Sequence, residues 1–532
     1  MVRRSNWFYI GLVLAFTGVL MRCFILSCGE NSQTAQKTVN GRQGTITLYR
    51  TRGVIYDENL KELAGNQSCL YAVVDPREFP MEMMDTLIEK SNENAEKIKE
   101  KLKKETPFVL KLKEKVPSLD GVMIFEGKER YSGVATHLLG YLDEAGEVGV
   151  AGIEKEYDSF LNLFSSEVTV NYSADALNGL IAGLGMETKA EEATENGIVL
   201  SLNKDLCVAL ERSMDRHIGV GAAVILNCKN GELKAVCSNP GYEEERIAEY
   251  LESTKGELIN RAFSAHTVGS VFKIIVAACA LEAGMEDFKY TCNGGIQIND
   301  YTFACHHSNG HGEIGLEKAF AESCNAYFIA VGQLLGYETM AEMARRFGYD
   351  EPINVLGSIS ASKGTFSVKG SNISLANMSI GQGELTSSPL QVARMTAVIA
   401  NGGMLQEVQL FKGTYINGKI KNEETTGEAK EILSKENAEK LRRYCIETVE
   451  NGTGEEAKPS YMKAGGKTAS AQTGIIRDGK EKINTYFTGF YPAEDPQYVI
   501  TVFAEDGASG GKTCGPVFRE MCDFITENHL TE

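Results

Sequence analysis

Five serines in the sequence are followed three residues later by a lysine, a spacing that can activate a nucleophile. On a helix, positions i and i+3 lie on the same face, so the lysine amine can accept the proton of the serine hydroxyl. Because so short a pattern is common by chance, the sequence around each pair must select among them. The pairs are Ser201/Lys204, Ser270/Lys273, Ser360/Lys363, Ser460/Lys463 and Ser509/Lys512.

The surroundings of Ser270 favour a catalytic role for this pair. Gly269 precedes the serine and permits close approach of another backbone, and residues 271–283 have the apolar character of a long buried helix. A serine at the start of such a helix has its hydroxyl near the positive end of the helix dipole. The structural alternative, a serine that caps the helix and a lysine that reaches water, stays open on the pattern alone.

Two further polar groups follow Ser270 in the chain. Ser323-Cys324-Asn325 begins another apolar helical segment, and Lys467-Thr468 lies in a glycine-rich run before a pair of aromatic strands. A phosphate-binding loop is the alternative for the second group. Its pattern needs a glycine at position 461, which is tyrosine, so that alternative fails.

The order and spacing of these groups resemble the Ser-x-x-Lys, Ser-x-Asn and Lys-Thr-Gly motifs shared by penicillin-binding proteins and class A β-lactamases. The resemblance runs from about residue 44 to the C-terminus and points to the class B, monofunctional penicillin-binding proteins. No segment resembles a glycosyltransferase, which argues against the bifunctional class A. The other stretches that carry the resemblance are residues 52–57, 131–141, 152–158, 260–261, 311–312, 381–383, 388–391 and 401–403.

The resemblance implies a peptidoglycan D,D-transpeptidase, which cross-links stem peptides through a serine acyl-enzyme and is blocked covalently by β-lactams. Ser270 would attack the carbonyl between two D-alanines, and Lys273, with its pKa lowered by burial beside Lys467, would act as the base. Ser323 would relay a proton to the leaving amine. Asn325 would hold Lys273 and the substrate amide.

The resemblance also implies the groups that bind the substrate. Lys467 and Thr468 would bind the terminal carboxylate of the stem peptide. The backbone N–H groups of Ser270 and Ser470 would form the oxyanion hole. No metal and no organic cofactor is implied.

The sequence departs from the family pattern close to these motifs. Ala469 stands where the glycine of Lys-Thr-Gly is usual, so a methyl group is added to the strand that faces the nucleophile. Val268 replaces a proline that usually lies two residues before the nucleophile. The aromatic residue after the Lys-Thr strand, usually tryptophan, is here Tyr486 or Phe487. None of these changes removes a catalytic group.

Length and composition limit what the chain can be. Its 532 residues predict three or four domains, and 43% hydrophobic with 24% charged residues is ordinary for a chain with buried cores. The net charge of −18 argues against a nucleic-acid binder, which needs a basic surface. One apolar run approaches membrane length, so a multi-span membrane protein is excluded.

That apolar run lies at the N-terminus, over residues 7–26. It can span a bilayer if Arg22 reaches the outer interface, and Arg3 with Arg4 favours an N-inside orientation. A cleaved signal peptide and a lipoprotein cysteine at Cys28 are alternatives, but neither has suitable small residues at the cleavage site. We therefore expect a single-pass anchor in the cell membrane, with the catalytic domain outside the cytoplasm.

The predicted fold is multi-domain α+β. Residues 1–28 form the cytoplasmic tip and transmembrane helix. Residues 29–190 form an α+β pedestal that resembles the dimerisation domain of the family. Residues 191–532 form the penicillin-binding transpeptidase domain, in which we expect an antiparallel sheet flanked by helices.

Periodicity places the main elements within these domains. Strands are predicted over residues 219–226 and 232–237, joined by an Asn230-Gly231 turn, and again over residues 486–491 and 498–504. Helical patterns over residues 271–283 and 315–335 lie between the two strand pairs. Residues 81–104 predict one charged helix, residues 187–196 an acidic boundary, and residues 413–431 a polar surface excursion.

The thirteen cysteines, an odd number, suggest a reducing habitat. Most of them lie in apolar segments and are expected to pack as small hydrophobic residues, while Cys292 and Cys305 are the best candidates for a disulfide. Cys305, His306, His307 and His311 resemble a zinc site in residue type. Because these four stand in one short loop, we favour a polar loop near the cleft over a metal site.

Other activities remain as alternatives to the transpeptidase. They are a β-lactam sensor, a catalytically weak scaffold in which Ala469 spoils the substrate geometry, and a β-lactamase or D,D-carboxypeptidase. A sensor needs a transducer, and only residues 1–6 precede the expected anchor. The expected partners are D-Ala-D-Ala stem peptides, β-lactams, the membrane and, by analogy, a polytopic glycosyltransferase.

Overall fold

The structure, a computed structural model, divides into two compact units. It describes residues 2–28, 43–104, 106–117, 119–173, 186–190, 195–366, 370–421, 427, 429–477 and 479–531. The smaller unit contains residues 1–51, 67–129 and 166–193, and the larger unit contains residues 52–66, 130–165 and 194–532. Two segments that the sequence analysis assigned to the pedestal, residues 52–66 and 130–165, therefore group with the larger unit by their contacts.

The described residues of the smaller unit form two sheet portions. One joins the strands Gln43–Thr51, Ser166–Ser173 and Met186–Ala190 in that order, so residues 187–190 of the expected boundary belong to a strand. In the other, the end of Glu62–Val74 pairs with Phe108–Leu112, and Val122–Ser132 also joins Glu62–Val74. Ala72, Val74, Leu87, Ile98 and Leu110 form a buried apolar cluster in this unit.

The predicted charged helix over residues 81–104 is wrong as a single element. It consists of a 3-10 turn, Met81–Met83, and two helices, Met84–Lys90 and Ala95–Leu102. Asn94 accepts a hydrogen bond from the Glu96 amide and so begins the second helix. The helix breaks there because the serine and asparagine side chains between the two helices favour helix ends over helix interiors.

The N-terminal helix is Val2–Cys28. The apolar side chains described on it are exposed; Trp7, for example, is 75% exposed and Phe16 67%. Within the described part of the chain, no helix combines the length and the apolar character needed to cross a membrane.

The larger unit is built on a five-stranded antiparallel sheet. Its strand order is Leu233–Asn239, Gly221–Asn227, Tyr498–Ala504, Lys480–Tyr491 and Gly465–Arg477. Both predicted strand pairs are confirmed, and Gly231 adopts the positive φ of 78° that its turn requires. The last strand, Gly465–Arg477, lies at the edge of the sheet.

Helices cover this sheet and form the core beside it. Residues 273–281 are buried without exception, so Lys273–Glu282 is the central helix. The remaining helices of the unit are Thr136–Leu139, Gly152–Glu156, Asp158–Asn162, Lys204–His217, Ile247–Glu252, Leu316–Ala321, Asn325–Leu335, Tyr337–Arg346, Asn372–Ser379, Pro389–Ala400, Lys435–Asn451 and Gly515–Glu527, with 3-10 turns at Glu244–Arg246, Gly269–Phe272 and Glu455–Ala457 and a π turn at Gly510–Cys514.

A second sheet in the larger unit corrects the expected surface excursion over residues 413–431. Phe411–Ile416 pairs with Gly197–Leu200, and Lys419–Lys421 pairs with Phe411–Ile416. Val54–Tyr56 and the start of Glu62–Val74 complete the sheet. Thr414 is 6% exposed. Its polar side chain indicated a surface segment, but the residue is buried. Residues 422–426 and 428 of the excursion lie outside the described residues.

The described residues of the larger unit also form five two-stranded ribbons. They are Lys289–Cys292 with Gly312–Gly315, Gly295–Ile298 with Tyr301–Ala304, His266–Thr267 with Thr386–Ser387, Ile353–Leu356 with Ile359–Ala361, and Met404–Leu405 with Lys430–Glu431. The first two stand next to each other in the chain, just before Ser323. Ribbons this short have little stability of their own.

Three buried hydroxyls link the helix Pro389–Ala400 to the five-stranded sheet and allow a test of the core. The Oγ1 atoms of Thr396 and Thr501 lie 2.8 and 2.7 Å from that of Thr488. We expect Thr488→Val to lower the free energy of unfolding by about 1–3 kcal/mol, because the buried Thr501 hydroxyl loses its partner. Chemical denaturation of Thr488→Val and of Thr488→Val/Thr501→Val measures this. The double variant should regain part of the loss; equal or greater loss would contradict the hydrogen-bond explanation.

Candidate active site

Ser270 lies on a helical turn that leads directly into the central helix. The turn is Gly269–Phe272, and Lys273–Glu282 follows it without a break, so Ser270 and Lys273 have the predicted one-turn relation. Val268, in place of the usual proline, is the buried residue that precedes the turn. Gly269 has a φ of +64°, a conformation that favours glycine.

Two other backbone segments are in close contact with this turn. The Gly269 N–H donates to the Gly381 carbonyl at 2.9 Å. A Cβ atom at position 381 would lie 1.8 Å from the Gly269 oxygen, and one at position 269 would lie 3.0 Å from the Ser470 oxygen. The turn that carries Ser270 therefore lies directly between the Gly381 loop and the edge strand that carries Ser470.

Lys273 is fully buried and its amine is held by three acceptors. Its Nζ donates to the Ser323 carbonyl at 2.7 Å, to the Asn325 Oδ1 at 2.7 Å and to the Ser323 Oγ at 3.2 Å. Burial lowers the pKa of Lys273 to about 7, although nearby thiols oppose the shift. In the described part of the chain, no carboxylate forms an ion pair with this amine.

A sharp turn brings Ser323 and Asn325 to Lys273. The helix Leu316–Ala321 ends before it, and Asn325–Leu335 begins after it, so the predicted helix over residues 315–335 is in fact two. Ser323 occupies the left-handed region with a φ of 52°, which is strained for a residue other than glycine. Asn325 also donates from its Nδ2 to the Ala304 carbonyl at 3.2 Å.

Lys467 is the second fully buried lysine of the site. Its Nζ donates to the Thr468 carbonyl at 3.3 Å and lies 5.5 Å from the centre of the Phe320 ring. Burial and the nearby Lys273 amine hold the pKa of Lys467 well below its usual range. Lys273 has a matching contact, 5.4 Å from the centre of the Phe328 ring. Aromatic faces attract cations at such distances.

The edge strand presents the other predicted binding residues. The Thr468 Oγ1 lies 2.7 Å from the Thr453 Oγ1, and Ser470 is exposed. Ala469 is 3% exposed and stands in register with Tyr486. Its methyl group is therefore buried, and its partner on the neighbouring strand is one of the two aromatic residues expected there.

The loop before Ser323 differs from the expected polar loop. Of the four residues grouped there, His306 and His307 are exposed, His311 is partly buried and Cys305 is 6% exposed. Cys292 and Cys305, expected as the best disulfide pair, are both free thiols. The structure instead brings together Cys292, Cys305, His311 and Cys324, with one ligand atom from each lying within 4.8 Å of the others. These four residues could hold a metal ion.

Comparison with known protein families identifies this arrangement. Residues 221–523 match the family model "Penicillin binding protein transpeptidase domain", and residues 47–181 match "Penicillin-binding Protein dimerisation domain". The chain belongs to the class B penicillin-binding proteins. The activity expected from the resemblance, peptidoglycan D,D-transpeptidation through a serine acyl-enzyme that β-lactams block, is confirmed.

This penicillin-binding protein is similar to characterised relatives over most of its length. It is 28% identical to Stage V sporulation protein D of Bacillus subtilis, over 90% of this chain and 78% of that protein. It is 25% identical to Peptidoglycan D,D-transpeptidase MrdA of Acinetobacter baumannii, over 97% of this chain and 87% of that protein. It shares its fold with PBP2 in the complex with MreC from Helicobacter pylori, with a TM-score of 0.66, 23% identity, and coverage of 92% and 99% of the two chains.

Several residues around the site of this penicillin-binding protein were missed by the sequence analysis. Thr453, Phe320 and Phe328 contact the motif residues but belong to no motif. Cys292 and Cys324 were not grouped with His311 because ribbons and a helix separate them in the chain. The recurrence of cysteine and histidine at positions 292, 305, 311 and 324 was the available signal.

The acylation rate should depend on pH through Lys273. A general base must be neutral, and the neutral fraction rises as the pH passes the lowered pKa of about 7. We expect the rate of acylation by penicillin to rise from pH 5.5 to 8.5 with a midpoint near 7, measured by stopped-flow fluorescence with a labelled penicillin. Lys463→Ala, which changes an exposed lysine, should keep the same profile. A midpoint above 9 would exclude Lys273 as a base with a lowered pKa.

The crossing of the Gly381 and Gly269 backbones provides a second test. Gly381→Ala places a Cβ against the Gly269 carbonyl at a positive φ of 74°, so we expect at least a tenfold slower acylation and a lower Tm. Gly284→Ala is the matched control, since Gly284 has a φ of 68° but no atom within 4 Å of the added Cβ. Equal effects of both substitutions would show that backbone strain alone is responsible.

Proposed function

We propose that this class B penicillin-binding protein cross-links peptidoglycan with Ser270 as its nucleophile and Lys273 as its general base. The observation that carries the proposal is the buried Lys273 amine, which follows Ser270 by one helical turn and is held by Ser323 and Asn325. A pKa of about 7 leaves much of this amine neutral at physiological pH. An ordinary lysine would be almost fully protonated there.

In the proposed acylation, the Ser270 Oγ attacks the carbonyl carbon between the two D-alanines while Lys273 takes the hydroxyl proton. The carbonyl oxygen gains negative charge and accepts hydrogen bonds from the N–H groups of Ser270 and Ser470. The close packing of Gly269 on Ser470 supports this pairing. The C–N bond then breaks, and the Lys273 proton passes through the Ser323 hydroxyl to the amine of the departing D-alanine.

Deacylation completes the cross-link. The amine of a second stem peptide attacks the ester carbonyl and gives a proton to the site, and the Ser270 hydroxyl is restored as the ester bond breaks. Asn325 keeps Lys273 in place throughout by accepting its hydrogen bond at 2.7 Å. No redox step is involved.

Lys467 and Thr468 are proposed to bind the terminal carboxylate of the stem peptide or the carboxylate of a β-lactam. Lys467 is buried and lacks an ionic partner among the described residues, so an arriving carboxylate would favour its charged form. Thr468, held by Thr453 at 2.7 Å, would add a hydroxyl donor. Ser470 would contact the same substrate from the exposed side of the strand.

We further propose that the helix Val2–Cys28 anchors the chain in the cell membrane with the catalytic domain outside the cytoplasm. The exposed apolar side chains of Trp7 and Phe16 support this placement, and Arg3 with Arg4 favours the N-inside orientation. A polytopic glycosyltransferase is the proposed partner. The MreC complex of a structural neighbour supports the view that class B proteins of this fold assemble with other proteins.

Intact-mass spectrometry with excess penicillin tests the residue roles. We expect the full-length protein to gain the mass of one drug molecule, to release it over hours, and to lose this adduct in Ser270→Ala. Ser264→Ala, a serine that bonds the Asn260 carbonyl, is the matched control and should be acylated normally. Rapid drug hydrolysis without an adduct would identify a β-lactamase, and neither adduct nor hydrolysis would identify an inert scaffold.

A further inference from the structure

Three thiols and one imidazole meet directly behind the turn that carries Ser323. One ligand atom from each of Cys292, Cys305, His311 and Cys324 lies within 4.8 Å of all the others. The Cys305 Sγ lies 3.9 Å from the Cys324 Sγ and 3.6 Å from the His311 Nδ1. The mechanism proposed above uses none of these four groups.

The separations fit a tetrahedral metal centre and do not fit a disulfide. Ligands placed about 2.3 Å (sulfur) and 2.0–2.1 Å (nitrogen) from zinc are separated from each other by roughly 3.5–3.8 Å at a tetrahedral angle. The sulfur–sulfur separation of 3.9 Å and the sulfur–nitrogen separation of 3.6 Å are close to these values. A disulfide needs a sulfur–sulfur distance of about 2.05 Å, and all three cysteines are free.

The three cysteines of the cluster are shielded from water. Cys292 is 1% exposed, Cys305 6% and Cys324 0%. The Nε2 atom of His311 is also buried and has no hydrogen-bond partner in the described part of the chain. A buried imidazole nitrogen without a hydrogen-bond partner is unusual in a protein interior.

Each of the four residues ends or begins a different element. Cys292 is the last residue of Lys289–Cys292, and Cys305 directly follows Tyr301–Ala304. His311 directly precedes Gly312–Gly315, and Cys324 caps the helix Asn325–Leu335. Two short ribbons and the active-site turn thus converge on one point. Such ribbons lack a core of their own, and a metal ion is a common way to fix them.

We propose that Cys292, Cys305, His311 and Cys324 bind one zinc ion in a structural site that braces the Ser323–Asn325 turn. Three sulfur ligands and one nitrogen ligand match the preferences of zinc, which takes four such ligands in structural sites. On binding, each thiol loses its proton to solvent and the imidazole binds through a neutral nitrogen. The oxidation state of every partner stays the same.

The position of the site links it to catalysis. Cys324 stands between the two residues that hold the Lys273 amine, and Asn325 also bonds the carbonyl of Ala304, the ribbon residue that directly precedes Cys305. A bound ion would therefore restrict both sides of the turn at once. Ser323, with its positive φ of 52°, is the residue whose strained conformation such a brace would maintain.

Metal analysis of the purified full-length protein tests the proposal independently of activity. We expect about one zinc per chain by elemental mass spectrometry after purification without chelators. Cys305→Ser and Cys292→Ser should bind zinc more weakly by more than the roughly 10- to 100-fold that losing an outer-shell partner costs. Cys228→Ser, a buried free cysteine elsewhere, and His307→Ala, the exposed neighbour, are matched controls that should keep the metal.

A second measurement covers variants that fold poorly. The wild-type protein, stripped with a chelator and refilled with cobalt(II), should show the absorption of a tetrahedral thiolate site, and Cys292→His should retain a shifted spectrum because it keeps four ligands. Adding zinc to the stripped protein should raise its Tm and restore the rate of acylation by penicillin.

Three results would overturn the proposal. They are substoichiometric zinc in the wild-type protein even after zinc is added, retention of zinc by Cys305→Ser, and an intact mass two hydrogens lower that maps to a Cys305–Cys324 disulfide. The proposed acylation is judged separately by the penicillin adduct on Ser270. A zinc-loaded protein without that adduct would refute the residue roles and leave the metal site standing.

Discussion

Two lysines buried together without a carboxylate form the constraint on which the rest of the catalytic unit depends. Lys273 and Lys467 are both fully buried, and no ion pair reaches either amine within the described residues. Lowering the pKa of Lys273 from 10.5 to about 7 shifts its protonation equilibrium toward the neutral form by about 5 kcal/mol relative to an exposed lysine. Only a packed protein interior can maintain such a bias, so the proposed role of Lys273 as a base depends on the whole core.

The surroundings of the two amines explain how the charged forms can still arise during the reaction. A carbonyl oxygen, an amide oxygen and a hydroxyl accept hydrogen bonds from Lys273, and the rings of Phe328 and Phe320 face the two amines. These groups stabilise a cation without carrying a negative charge. A carboxylate in the same place would keep Lys273 permanently protonated and unable to act as a base.

The sequence predicted the parts of this site that local patterns encode. Alternation and apolar runs located the strands of the catalytic sheet, and the serine, lysine and amide spacings located the motif residues. Contacts between distant segments were beyond such patterns. The break at Ser323, the Gly381–Gly269 crossing and the meeting of Cys292 with Cys324 depend on how separate elements pack, and Thr414 was misplaced because its burial comes from a tertiary strand pairing.

The two lysines also differ in the hydrogen-bond partners of their amines. Lys273 has its three acceptors within the protein, so its amine is oriented before any ligand arrives. Among the described residues, Lys467 has one long hydrogen bond, to the Thr468 carbonyl at 3.3 Å, which leaves its amine free to bind a ligand. A ligand with a carboxylate at the right distance from its reactive carbonyl would bind this amine and, by making Lys467 positive, would disfavour a second charge on Lys273. The carboxylate of the ligand would thus both hold the ligand and keep the base neutral for attack, which explains why the two lysines need to be buried side by side.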